Sequence, residues 1–364
     1  MNEHEVEAKL KDLPPSSKFV YKTLAQNGSM TLKGLTEETL LSSRTARYGL
    51  DQLEEAGLIE SAPALHDGRQ TCYSLRHGTG PHGEYAKRAL VDVAWLEEHI
   101  DEFRADDPEY RLLAVEEAYE DGHIPGAVPL DPMESLVYPE HAGIPDREQF
   151  EEMMGDRGIT EDSTVVVYSD GINETAALAY WTFKYYRHSD VRILNGGKRY
   201  WSESGHGMTT ETLPVTPQNY TAQEPHESIR AYRADVQAAL AGETTLLDVR
   251  TAAEYRGEQR TPEDGVPTAR ASGRIPNAVH LAWTEVVDDN WHFKRRRQLE
   301  RMFAKRGIEE EDEVIVYCNV GERAALVWFV LSELLGYRNV ANYDGSWAEW
   351  GNLIDVPIET GSPE

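Results

Sequence analysis

Two cysteines in 364 residues, Cys72 and Cys318, far apart in the chain, exclude a disulfide framework and the small bridged folds that depend on one. Long apolar runs are missing as well. No stretch reaches the ~18 consecutive apolar residues of a membrane span, and the N-terminus, with Glu3, Glu5 and Glu7, lacks the basic start and apolar core of a secretory signal. The expectation is a cytoplasmic protein in a reducing compartment, with no membrane partner. Lysine is scarce: 10 of the 36 basic residues are Lys, and all 36 face 64 Asp and Glu, for a net charge of −28. The acids are dispersed and not gathered in blocks, which argues against a dedicated cationic partner. Such a balance fits a salt-adapted, halophilic cytosolic protein, whose stability should rise as molar salt screens carboxylate repulsion to within about 3 Å.

What is present suffices for folded domains. A hydrophobic content of 40%, with 18 Tyr and 8 Trp, supplies real cores, and the length fits roughly two to three domains. Cys318 is the more informative cysteine. It ends a short apolar strand, Val314-Ile315-Val316-Tyr317, and opens the loop Asn319-Val320-Gly321-Glu322-Arg323 before a helical run from Ala324. A thiolate there would face loop N–H groups, the positive end of a helix dipole and Arg323, all of which favour the charged form. A reactive anionic sulfur is expected; the alternative is a small buried hydrophobe at a strand end.

The chain holds a second, altered copy of this segment. Val165-Val166-Val167-Tyr168-Ser169 matches the strand and its cysteine, and each is followed by a loop and an Ala-rich apolar helix. Upstream, Gly122-His123-Ile124-Pro125-Gly126-Ala127-Val128 pairs with Gly273-Arg274-Ile275-Pro276-Asn277-Ala278-Val279, and Leu112-Leu113-Ala114-Val115-Glu116 with Leu246-Leu247-Asp248-Val249-Arg250. Downstream, Asn195-Gly196-Gly197 answers Tyr343-Asp344-Gly345. A repeat this long means two domains of one fold, since solenoid units run to only about 20 to 50 residues. Short β-rich runs alternate with helical patterns over Leu90 to Phe103, Ala176 to Tyr186, Arg233 to Ala241 and Ala324 to Leu335, which indicates α/β domains with parallel sheets. The Cys318 loop then falls at the carboxyl end of a strand, where open α/β sheets place their sites.

These landmarks, in this order, resemble a tandem-domain rhodanese of the thiosulfate/3-mercaptopyruvate sulfurtransferase family over roughly residues 85 to 360. The strongest matches are Leu247-Asp248-Val249-Arg250, Glu254-Tyr255-Arg256-Gly257, Gly273 to His280, the Cys318 loop, and Tyr343-Asp344-Gly345-Ser346-Trp347. The resemblance implies two doubly wound parallel-sheet domains, a degenerate one over 85–205 with Ser169 in place of Cys, and a catalytic one over 227–364. The Thr-, Pro- and Gln-rich stretch 206–226 reads as the linker between them.

The chemistry that the resemblance implies is ping-pong and needs no cofactor or metal. Cys318 takes a sulfane sulfur from thiosulfate or mercaptopyruvate as a persulfide and yields it to cyanide or a thiol. Thiolate and persulfide are both anions, so the loop must turn several N–H donors to one point, and Gly321 lets it close. Ser169 cannot hold a transferable sulfur, so the first copy should be inert. Four residues separate Cys318 from Arg323; that short ring suits one sulfur atom, whereas the related cysteine phosphatases use a wider loop to cradle a phosphoryl group. The donor is less determined, because Asn319-Val320 fits neither the basic loop associated with thiosulfate nor the Gly-Ser pair associated with mercaptopyruvate. Arg250 and Arg256 either hold an anionic substrate or, for Arg250, anchor a loop by pairing with a carboxylate. Asp248 reads as support for the fold, and Trp347 and Trp350 as packing.

Residues 1–80 differ from the rest. They hold 9 basic against 11 acidic residues and half of all the lysines. The pattern predicts helices over Ser17 to Gln26, Leu32 to Glu38 and Ser42 to Glu55, then two strands over Leu58 to Leu75 around the turn His66-Asp67-Gly68-Arg69. That order, with Ser42-Ser43-Arg44-Thr45-Ala46-Arg47-Tyr48, resembles the winged helix-turn-helix domains of small prokaryotic regulators. The resemblance implies DNA contacts by Ser43, Arg44, Arg47 and Tyr48 from the third helix and by Arg69 from the wing tip, in a protein that would dimerise to read paired half-sites. A purely protein-docking winged helix is the other reading. Cys72, between Thr71 and Tyr73, reads as packing. A flexible link over Arg76 to Gly83 joins this domain to the repeat. Two functions follow: a sulfurtransferase with an accessory N-terminal domain, which we favour, or a sulfur-responsive transcription regulator with the rhodanese half as sensor.

Overall fold

The structure is a computed structural model that describes residues 9–11, 13–27, 30–64, 67–75, 85–87, 89–136, 143–259 and 269–362. The expected link Arg76 to Gly83 and the turn residue His66 lie outside the described residues. The chain divides into two compact units, residues 1–85 with 287–302, and residues 86–286 with 303–364.

In the first unit, helices α1 (Pro15–Asn27), α2 (Leu32–Thr39) and α3 (Ser43–Glu55) precede strands β2 (Ile59–Ala64) and β3 (Asp67–Leu75). A two-residue strand that the sequence pattern did not mark, β1 (Met30–Thr31), joins them in an antiparallel sheet ordered β1-β3-β2. The helix starts follow from their caps: Thr31 Oγ1 accepts the Gly34 N–H, and Ser42 Oγ accepts the Thr45 N–H. Ala46, Leu50 and Leu53 recur at helical spacing and face a core with Val20, Leu24, Leu35, Leu58 and Ile59. Cys72 lies in β3, opposite Thr31 and Ala62.

The second unit holds the repeat. In the first copy β4 (Leu90–Val91), β5 (Tyr110–Ala114), β6 (Ala127–Pro129), β7 (Thr164–Tyr168) and β8 (Val191–Leu194) form a parallel sheet ordered β4-β8-β7-β5-β6. In the second, β9 (Thr245–Asp248), β10 (Val279–His280), β11 (Val314–Tyr317) and β12 (Val340–Asn342) are parallel in the order β10-β9-β11-β12. A parallel bridge from Arg230 to Asn342 takes the place of the fifth strand, so both sheets have one order. The central strands β7 and β11 are runs of Val, Ile and Tyr with all or nearly all residues buried, as parallel strands covered on both faces require.

Helix α4 (Glu174–Tyr185) follows β7, and α5 (Glu322–Phe329) follows β11. Both are apolar nearly all round and buried, which suits helices enclosed on every side. They pack on each other: the Tyr180 and Phe329 rings meet edge-on at 4.8 Å, and the Tyr180 hydroxyl donates to Glu333 at 2.9 Å. Beyond Phe329 the chain continues as a π-helical turn, Val330–Leu335, where Lys87 pairs with Glu333 at 2.7 Å. The expected single helix from Leu90 to Phe103 is divided. Leu90 and Val91 are the edge strand β4, and the helical part breaks at His99 into Val93–Glu98 and Ile100–Arg104. Residues 206–226 carry no helix or strand and are strapped to the first copy, with the Gln218 N–H on the Gly155 carbonyl and the Thr216 hydroxyl on Asp106. No helix among the described residues is long and apolar enough to cross a membrane.

Candidate active site

Strand β11 delivers Cys318, and Gly321 turns the chain into α5 three residues later with φ of 98°. The turn closes around the sulfur: the Gly321 N–H donates to Cys318 Sγ at 3.1 Å, and the Ala324 N–H also points at it. The frame behind the loop is tied at several points. The Cys318 N–H donates to Ser346 Oγ at 3.0 Å, Ser346 Oγ donates to the Tyr343 carbonyl, and the Trp347 and Ala348 N–H groups donate to the Cys318 and Asn319 carbonyls. Asn342 Nδ2 holds the Gly321 carbonyl at 3.2 Å. Asn319, Val320 and Gly321 are buried and Glu322 is half-buried.

Cys318 is fully buried, and this corrects one expectation. Burial pushes the thiol above the usual cysteine range, with Glu322 adding to the rise, although Arg323 and the amides of Ala324 and Gly321 oppose it. The expected anion-favouring groups are present, but removal from water outweighs them in this resting arrangement. Part of the reason is where Arg323 points. Its guanidinium pairs with Glu254 at 3.1 and 3.3 Å and lies over the Trp283 ring at 4.9 Å, while its buried Nε has no hydrogen-bond partner among the described residues.

The two other arginines singled out from the sequence each pair with a nearby carboxylate. Arg250 is almost fully buried; it pairs with both oxygens of Asp248 at 3.0 and 2.6 Å, donates to the Gly273 carbonyl and lies over Trp347. Arg256 is a third exposed and pairs with Glu258 at 2.8 Å. Trp347 and Trp350 are buried, and their indole N–H groups bond to the Ala271 and Pro357 carbonyls. Glu254, Trp283 and Ser346 went unmarked as site residues; only the Thr251-x-x-Glu254 capping pattern could have placed Glu254 at a helix start, and it carries no hint of Arg323.

The first copy differs at the matching loop. Its loop is one residue longer, with Asn173, at φ of 69°, capping α4 four residues after Ser169. Ser169 Oγ is buried without a hydrogen-bond partner among the described residues. The loop amides serve a different acceptor: the Glu174 carboxylate, which burial raises above the usual range, accepts the Ile172 N–H at 2.9 Å and its own backbone N–H. Where Arg250 lies over Trp347 in the second copy, Glu116 pairs with Lys198 at 2.8 Å in the first. Ser43, Arg44, Arg47 and Tyr48, in the other unit, line one shallow depression with Asp51 on α3; Arg69 lies in β3.

A parallel α/β domain present twice, with a thiol ringed by amides at the end of one central strand, defines a class in which the sheet presents a single sulfur atom. The chain belongs to the rhodanese family: the rhodanese-like domain model matches residues 92–204 and 233–353, one match on each copy. A putative thiosulfate sulfurtransferase of Haloferax volcanii is 44% identical over 77% of this chain and 99% of its own length. The sulfur carrier protein TtuD of Thermus thermophilus is 41% identical over 75% of this chain and 96% of its own. Among solved structures, the anaerobic ergothioneine biosynthesis enzyme from Chlorobium limicola is similar, with a TM-score of 0.68 and 26% identity over 76% of this chain and 71% of that one. A related structure is described as ergothioneine covalently linked with a persulfide cysteine.

Proposed function

We propose that the protein is a rhodanese-type sulfurtransferase in which Cys318 carries the sulfur, moving it from thiosulfate, or from 3-mercaptopyruvate, to a thiol or cyanide. The observation that carries this reading is the Gly321 N–H held 3.1 Å from Cys318 Sγ at a helix start, a ring that suits a sulfur anion. The Cys318 thiolate attacks the outer sulfur of thiosulfate; that sulfur–sulfur bond breaks, and sulfite leaves with the electron pair. The acceptor thiolate then attacks the outer sulfur of the persulfide, and the Cys318 thiolate departs unchanged. The unpartnered Nε–H of Arg323 is the group we assign to an oxygen of the donor. Residues 227–364 form the catalytic domain in this reading, 85–205 the silent one and 206–226 the strap.

The test is mass measurement of the Cys318 peptide after donor exposure, with sulfite release followed in parallel. The expected result is a gain of one sulfur atom on that peptide, lost together with sulfite release in Cys318→Ser. An unmodified peptide with every donor refutes the reading.

We read residues 1–80 as a winged-helix domain that docks on DNA through α3. The support is local: Arg44, Arg47 and Tyr48 stand exposed side by side next to Ser43 at the start of a helix capped by Ser42. If so, Arg44→Ala and Arg47→Ala each weaken binding of duplex DNA and flatten its salt dependence; duplex binding unchanged in both variants refutes this reading.

A further inference from the structure

The first copy supplies no sulfur chemistry, yet it places a charge beside the second. Helices α4 and α5 each begin at the loop that follows a central strand, and they pack along one another. Tyr180, six residues after Glu174, meets Phe329, six residues after Arg323, at 4.8 Å. Glu174, the first residue of α4, lies within range of the Arg323 charge: burial raises its carboxyl above the usual carboxylate range, and the two loop amides and Arg323 oppose that rise. That carboxylate is not free to swing away, because the Ile172 N–H and the Glu174 N–H hold it. The other acids near Arg323 are Glu254, which pairs with it, and Glu322, next to it in the chain. A fixed carboxylate at a helix start beside a buried guanidinium competes for the positive charge that an incoming anion needs.

We propose that Glu174 is a specificity-determining residue of the Cys318 site: a carboxylate, lent by the degenerate copy, that disfavours doubly charged donors relative to neutral or singly charged ones. The naming of donors rests on the sulfur-transfer reading above; the electrostatic claim does not. It is tested by alkylating Cys318 with two reagents of one size, anionic iodoacetate and neutral iodoacetamide, and following modification of the Cys318 peptide. Glu174→Gln raises the iodoacetate rate relative to the iodoacetamide rate by about three- to tenfold, the range of one partly screened charge at this kind of separation. Glu174→Asp keeps the wild-type ratio. In turnover, the same Gln variant lowers KM for dianionic thiosulfate more than KM for monoanionic mercaptopyruvate, with kcat little changed. An alkylation ratio that Gln and Asp leave equally unmoved overturns the proposal. Should Glu174→Gln not fold, Glu174→Ser keeps an oxygen for the Ile172 N–H and makes the same comparison. Alkylation needs no sulfur donor, so failure of the ratio and failure of sulfite release are separate results.

Discussion

Gly321→Ala tests the amide ring most directly, because a single methyl group is set against two consequences that can both be measured. Gly321 has φ of 98°, outside the range that an L side chain adopts without strain, which costs about 1–3 kcal/mol. The added Cβ would lie 3.1 Å from Asp344 Cα and 3.2 Å from its carbonyl oxygen, each a few tenths of an ångström too close. Asp344 cannot yield, since Arg230 clamps its carboxylate at 3.0 and 2.6 Å in a buried pair. If the loop stays in place, the variant therefore loses about 2–4 kcal/mol of stability. If it moves to relieve the clash, the Gly321 N–H leaves Cys318 Sγ. A hydrogen bond to a charged sulfur contributes about 1.5–3 kcal/mol, so the thiol would titrate about one to two units higher. Urea denaturation reads the first outcome, and the pH profile of iodoacetamide reaction at the Cys318 peptide reads the second, against a wild-type profile already displaced upward by burial. A variant within about 0.5 kcal/mol of wild type whose alkylation profile is also unchanged refutes the ring.

Arg250→Met leaves Asp248 buried without its countercharge and is expected to cost about 3–5 kcal/mol, seen as a lower denaturation midpoint; unchanged stability with a raised KM for thiosulfate would instead make Arg250 a substrate ligand. Ser169→Cys is expected to load no second sulfur, because the longer first loop gives its amides to Glu174; a mass gain at residue 169 would show that the missing thiol alone silences that copy.

The sequence carried the frame of the site because its decisive residues are consecutive. Strand, cysteine, loop and helix occupy one run from Val314 onward, and the near-identical run at Val165 exposed the duplication. The three N-terminal helices were legible for a similar reason, since Ser42 and the spacing of Ala46, Leu50 and Leu53 are local signals. What stayed hidden depends on contacts between distant residues. Nothing near Arg323 in the chain announces Glu254, 69 residues away, so the resting guanidinium could not be placed. The thiol was expected to be anionic because the loop amides are visible in a sequence and total burial is not. Leu90 and Val91 read as helix because two residues carry no periodicity; only pairing with β8 makes them a strand.

An idle duplicate is ordinarily free to erode until it disappears. Here the first copy supplies α4, and α4 covers the flank of the helix that follows the Cys318 loop. Deleting that half would strip Phe329 of Tyr180 and leave Glu333 exposed in the middle of an apolar wall. The shape of the first copy is therefore held in place by what it packs against, whatever residue stands at position 169.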